Sequence, residues 1–336
     1  MAVSEKIKDM IERSSWVRKM FETGRKMKEE HGEENVFDFS LGNPNLPPPQ
    51  EFQDVLLETA NLQIPGKHGY MPNAGYPEVR EKVAAFVSEE QGVNLSKDNI
   101  VMTCGAGGAL NVALKTIINP GDTVLVSVPC FVEYQFYADN HGGQLKTVPC
   151  LENFDLDIDA IERSIDASTC GIIINSPNNP CGIVYPQETI DRLAALLDEK
   201  SKEYGRTIYL VSDEPYRKLV YDNIKVPSLL ASYRNTFAAT SYSKELSIPG
   251  ERIGWLVIGP ESDDAPNLIN GAILSNRILG FVNAPAMMQR VIAKLQGVHV
   301  NINTYKHKRD MLCDALEEIG YEFSRPNGTF YLFPKA

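Results

Sequence analysis

The period of the apolar positions changes several times along the chain, and each change predicts a different kind of element. From Ser4 to about His31, Ile7, Met10, Ile11, Val17, Met20 and Phe21 recur at intervals of three and four among charged residues, the pattern of one or two amphipathic helices. FDFSLGNPNLPPP then excludes a helix, because proline lacks the amide donor, restricts the residue before it, and occurs four times between Pro44 and Pro49. That segment reads as an ordered loop. After Pro77, EVREKVAAFVSEEQG predicts a helix, and NIVMTC predicts a short strand running into the glycine cluster Gly105 to Gly108. NVALKTIINPGDTVLVSVP continues as helix, Pro-Gly-Asp turn and strand. GIIINSP, a polar helix from Gln187 to about Glu203, and TIYLVSDE repeat the alternation. Strands alternating with helices predict an α/β protein with a mostly parallel sheet, and runs such as Ile172-Ile173-Ile174 fit strands covered on both faces. Past Pro260 the pattern turns to longer helices, around Ala286 to Leu295 and Tyr305 to Ile319, before the strand-like ending GTFYLFPKA. A final apolar strand without a partner leaves an open edge, so the domain is expected to continue beyond Ala336.

Composition narrows the function classes. The 336 residues allow about two domains at roughly 150 residues each. With 43% hydrophobic and 23% charged residues the chain resembles an ordinary globular protein. Thirty-three Lys and Arg against forty-four Asp and Glu leave a net charge of −11, which repels nucleic acid and anionic lipid. The six cysteines are far apart and form no CxxC pair, and the five histidines show no metal-ligand spacing, so reduced thiols and no metal site are expected. The charged start MAVSEKIKDM is unlike a secretory signal, and no window holds the roughly 20 apolar residues of a membrane helix, which predicts a cytoplasmic protein.

Ligands in parallel α/β sheets bind outside the carboxyl ends of the strands, so the residues following each strand carry the candidate chemistry. CGAGGAL, residues 104–110, reads either as a cup of amides for an anion at a helix start or as a tight turn. NSPNNPCG, residues 175–182, places Asn179 ahead of a proline, and alone it is a turn. SDEPY, residues 212–216, puts Asp213 at the end of an apolar strand, where a buried carboxylate needs a cationic partner unless it caps a following helix. TSYSKELSIPGERIGW, residues 240–255, sets Lys244 among small hydroxyl residues with Arg252 eight positions on. An amine in a partly dry pocket becomes neutral and nucleophilic and can form an imine, although a solvated loop lysine fits the same segment. Tyr134, Cys104 and Cys130 read as pocket lining or as packing.

These motifs, in this order from SLGNP to GTFYLFP, resemble the pyridoxal-5′-phosphate (PLP) enzymes of fold type I, specifically class I/II aminotransferases of the aspartate aminotransferase type. The resemblance implies an arm and part of a smaller α+β domain in 1–45, and a three-layer PLP-binding large domain with a mostly parallel sheet in 46–265. An inter-domain helix and an incomplete remainder of the smaller domain would occupy 266–336. It implies that Lys244 carries PLP as an internal aldimine, that Asp213 pairs with the pyridine nitrogen, and that Tyr216 and Asn179 hold the ring's phenolic oxygen. Ala106, Gly107, Ser241 and Arg252 would form the phosphate cup, with Tyr70 reaching it from the partner subunit of a homodimer. Phe131 would stack on the ring, and Gly42 and Asn179 would lie at the substrate. The implied activity is ping-pong transfer of an amino group from an L-amino acid to a 2-keto acid. A PLP-dependent lyase or decarboxylase, and a non-catalytic amino-acid sensor, are the alternatives on the same fold. The chemistry is coherent: anionic Asp213 favours a protonated ring nitrogen, which makes the ring an electron sink, while a released Lys244 amine can move a proton. Two departures stand out. Cys181 replaces the usual threonine of the NPTG motif, and the family's substrate-carboxylate arginine is expected beyond residue 336, since Arg325 precedes GTFY.

Overall fold

The computed structural model describes residues 3–39 and 42–335, with the backbone alone for residues 13–18 and 21. Two compact units divide the chain, Met1–Asn45 and Leu46–Ala336. In the first, α1 (Glu5–His31) is one continuous helix; the Ser4 hydroxyl caps it by accepting from the Ile7 amide, and Gly32 at φ 86° ends it.

The second unit is built on seven strands: β1 (Ile100–Thr103), β2 (Thr123–Val128), β3 (Gln144–Pro149), β4 (Thr169–Asn175), β5 (Tyr209–Asp213), β6 (Thr236–Ser241) and β7 (Gly254–Ile258). They lie in the order β1-β7-β6-β5-β4-β2-β3. Six run in the same direction, and β7 alone is reversed, antiparallel to both β1 and β6. The helices of this unit are α2 (Gln50–Asn61), α3 (Pro77–Gln91), α4 (Gly105–Ile117), α5 (Tyr134–Asp139) and α6 (Ile158–Ser164). They continue with α7 (Gln187–Tyr204), α8 (Leu229–Ser232), α9 (Ala265–Ile278), α10 (Ala286–Ile292) and α11 (Ile302–Glu318).

Alternation along the strands sends side chains to opposite faces of the sheet, and helices cover both. Val101, Val126, Ile173, Val211, Phe237 and Leu256 pack against α4, α5 and α9. On the other face, Met102, Ala238 and Val257 meet α3 and α10, while Leu125, Ile172, Ile174 and Leu210 meet α6 and α7. Helix α7 shows how the sequence sets this packing: Ile190, Leu193 and Leu197 share one buried stripe, and Gly205 closes the helix in the left-handed conformation at φ 62°. Truncating fully buried Leu197 to alanine costs about 2–5 kcal/mol.

The carboxyl-terminal segment departs from its sequence pattern. GTFYLFP forms no strand; Gly328 makes one isolated antiparallel bridge to Val220. Thr329 then turns the chain at φ 63°, which ends any ladder, and Phe330 and Tyr331 enter an aromatic cluster. Among the described residues, no helix is long and apolar enough to cross a membrane, no group of side chains could hold a metal ion, and the six cysteines are free thiols.

Candidate functional site

Three adjacent parallel strands deliver the chemistry. Asn175 at the end of β4 is in register with Asp213 at the end of β5, and Asp213 with Ala239 of β6. The segments leaving these strands carry Asn179, Tyr216 and Lys244. Strand β7 enters the same end in reverse, with Gly254 opposite Ser241 and Arg252 two residues ahead of it.

Asp213 is buried, and its two carboxylate oxygens have different fates. The Tyr134 hydroxyl donates to Oδ2 at 2.6 Å, whereas Oδ1 has no hydrogen-bond partner among the described residues. Loss of solvent pushes the carboxyl up to about 7; the Tyr134 hydrogen bond opposes that shift and nearby Glu214 adds to it. The helix-cap reading of Asp213 does not hold, because residues 215–218 form a turn and no helix follows. The Asp213 main chain is fixed instead: its carbonyl accepts from Asn175 Nδ2 at 2.8 Å, and Asn175 Oδ1 accepts from the Asn179 amide at 2.6 Å. A buried acceptor left open on an otherwise braced carboxylate calls for a partner bearing a proton or a positive charge.

Lys244 faces this carboxylate's loop. Its Nζ lies 5.9 Å from the ring centre of Tyr216 and 5.4 Å from that of Phe330. Desolvation first, and the positive charge of Arg252 second, lower the amine to about 8. About a tenth of the amine is then neutral at pH 7, far more than for an ordinary lysine, and the neutral form is the one that attacks a carbonyl or accepts a proton. The Tyr216 and Tyr331 hydroxyls are 3.0 Å apart, and burial holds the Tyr216 phenol far above its ordinary value.

The other end of the site suits an anion. Helix α4 starts at Gly105, whose φ of 74° favours glycine; a Cβ there would lie 2.9 Å from Arg252 Nη2. The guanidinium therefore rests against the first turn of α4, which contains Ala106 and Gly107. Arg252, itself at φ 51°, also donates from Nη1 to the Pro249 carbonyl at 2.9 Å. Ser241 Oγ donates to Ser243 Oγ at 3.0 Å beside it on the chain. Gly254 permits the close approach, since a Cβ would come within 2.3 Å of the Thr240 carbonyl oxygen. A helix start, a guanidinium and hydroxyls together suit an anion, and Gly105 at φ 74° makes the same segment a tight turn.

Other sequence candidates fall as follows. Phe131 meets Tyr134 edge to face, with ring centres 5.5 Å apart. Cys181 is buried, its amide donating to Asn178 Oδ1 at 3.1 Å, and desolvation pushes its thiol up to about 12. Tyr70 is 94% exposed, and Gly42 belongs to the first unit. Arg325 is engaged with Asp314 and Glu317 on α11. Tyr134 proves to be more than packing, and Asn175 and Tyr331 had no sequence signal beyond Asn175 ending its strand. Their partners lie 38 and 115 residues away.

The profile of the family described as aminotransferase class I and II matches residues 34–336. A probable aspartate aminotransferase of Methanocaldococcus jannaschii is 33% identical over 306 residues, covering 89% of this chain and 78% of the relative. The crystal structure of an amino transferase from Eubacterium rectale superposes with a TM-score of 0.96 at 42% identity, covering 100% of this chain and 85% of that one. A Thermus thermophilus aspartate aminotransferase mutant superposes with a TM-score of 0.85 at 25% identity, over 99% and 85% of the two chains.

Proposed function

The chain belongs to the class I and II aminotransferases, and on that premise we propose that it transfers an amino group from an L-amino acid to a 2-keto acid with PLP seated between Lys244, Asp213 and the start of α4. Enzymes of this family use PLP. The observation that carries the seating is the unpartnered Oδ1 of Asp213, the acceptor that a protonated ring nitrogen fills. The anion site at Gly105 and Arg252 fits the phosphate, and the Lys244 amine, its basicity lowered by burial, fits the carbonyl carbon.

When bound, PLP supplies a carbonyl that condenses with amines and a ring that withdraws electrons from the bonds at the substrate's Cα. The protein's side chains do the rest. Asp213, held through Oδ2 by Tyr134, keeps a proton on the ring nitrogen. Tyr216 and Asn179 would hold the ring's phenolic oxygen, and Phe131 would pack against the ring. Ala106, Gly107, Ser241 and Arg252 bind the phosphate. Lys244 would take the Cα proton on Nζ and deliver it as the amino group changes carriers; its lowered basicity matches an amine that must both accept and release a proton near neutral pH.

Two copies of the chain share their sites in this reading, with Tyr70 serving the phosphate of the partner subunit. The support is a tyrosine ring left 94% exposed on a loop ahead of α3.

A spectral screen of the PLP-loaded protein against the twenty amino acids tests the proposal. Productive donors shift the visible band and release their keto acid in stoichiometric amount, and Lys244→Ala shows no such band in the absence of substrate. Ammonia, carbon dioxide or a thiol as product, or no response to any amino acid, overturns it.

A further inference from the structure

The last aromatic segment of the chain reaches the site through a contact that the transfer chemistry above leaves without a role. The Tyr331 hydroxyl lies 3.0 Å from that of Tyr216, with the two rings edge to face at 5.8 Å between centres. The contact is braced from behind. Thr329 is buried, its amide donates to the Leu219 carbonyl at 2.8 Å, and its hydroxyl accepts from the Tyr331 amide at 3.1 Å. The amides of Asn327 and Gly328 both donate to the Gly182 carbonyl. The segment is thus pinned to the loops that follow Tyr216 and Asn179.

A phenol has one proton to donate, so of two phenols in contact one donates and the other accepts. An ionised phenolic oxygen on the cofactor can only accept. If Tyr216 gave its proton to Tyr331, it would have none for the cofactor.

We propose that Tyr331 is a positioning residue whose hydroxyl donates to the Tyr216 oxygen and thereby directs the Tyr216 proton into the site. It rests on Tyr216 meeting the cofactor's phenolic oxygen. The titratable groups that face Tyr216 are Asp213 from its own segment, Tyr134 from α5, Lys244 from the loop after β6, and Tyr331 itself. Donation along a chain of hydrogen bonds polarises each member, so Tyr331 also makes Tyr216 the stronger donor. Donation from Tyr216 draws charge from the phenolic oxygen, which otherwise holds the proton on the nitrogen that Lys244 contributes.

The visible band of the PLP-loaded protein follows that proton, and its pH midpoint is the measurement. Tyr216→Phe raises the midpoint. Tyr331→Phe, which keeps the ring and its packing, raises it by a smaller amount, about 0.3–0.7 unit. The double variant matches Tyr216→Phe alone. Placing 3-fluorotyrosine at position 331 strengthens the donor and lowers the midpoint. An unmoved midpoint in Tyr331→Phe beside a raised one in Tyr216→Phe, or simple additivity in the double variant, overturns the role of Tyr331. An unmoved midpoint in Tyr216→Phe overturns the assignment of Tyr216 as well.

Discussion

Two aspartates at opposite ends of the same sheet have opposite relations to their surroundings. Asp122 immediately precedes β2, at the amino end of the parallel strands. Arg206 clasps it with two hydrogen bonds, Nη1 to Oδ1 at 2.9 Å and Nη2 to Oδ2 at 3.0 Å, and the Asn119 amide adds a third at 2.9 Å. Its carboxyl is held below the usual range, chiefly by the Arg206 hydrogen bonds. Asp213, at the carboxyl end of β5, is also buried but holds one donor on one oxygen, and its carboxyl sits near 7. One carboxylate is saturated by the fold, and the other is left with capacity for something outside it. The difference separates a structural acid from a candidate functional one more clearly than burial or residue type does.

The comparison can be broken at either end. Lys244→Ala, which removes the amine beside the unsaturated end, is expected to lower amine transfer by about 10⁴-fold, read by keto-acid release. Asp213→Asn leaves the shape but not the charge, and a loss of about 10²–10³ in kcat is expected, with weaker PLP retention on dialysis. Arg206→Ala, by contrast, is expected to leave kcat within about twofold. It costs about 1–2 kcal/mol in denaturant unfolding, a range set by a pair that is partly open to solvent.

The smallest and most diagnostic effect is in pH dependence. For Asp213 the folded value near 7 lies above the ordinary 3.8, so between about pH 4 and 7 the folded state holds the extra proton and stability falls as pH rises. Buried Glu245, pushed up to about 8 by desolvation, has the same sign. Asp122 has the reverse sign: its contribution is present above the unfolded value and is lost as pH falls through the lowered folded one. In the cofactor-free protein, Asp213→Asn should therefore flatten the fall in melting temperature between about pH 4 and 7. Asp122→Asn should lower it at neutral pH and cease to matter in acid. The same sign for both variants would remove the contrast.

Much of this architecture was legible because its signals are local. The apolar runs placed β4 and β5, the polar stripe placed α7 to within a residue of its observed end, and the position directly after an apolar strand singled out Asp213. The brace around Asp213 was not legible. Tyr134 lies 79 residues from its acceptor and Tyr331 lies 115 from Tyr216, and a hydroxyl at the tip of an aromatic ring has no periodicity that distinguishes it from packing. GTFYLFP misled for a related reason: its β-forming residues serve a ring cluster, and the turn at Thr329 has no sequence mark in a residue that ordinarily favours extended backbone.

The reversed course of β7 has a directional consequence. A strand parallel to its neighbours brings its trailing residues to the ligand end; β7 brings its leading ones. Arg252 precedes Gly254, and had the strand run the other way the guanidinium would emerge on the far side of the sheet, about 16 Å from the start of α4 at roughly 3.3 Å per residue over five residues. One inverted segment among parallel ones thus decides on which side of the sheet the Arg252 guanidinium emerges.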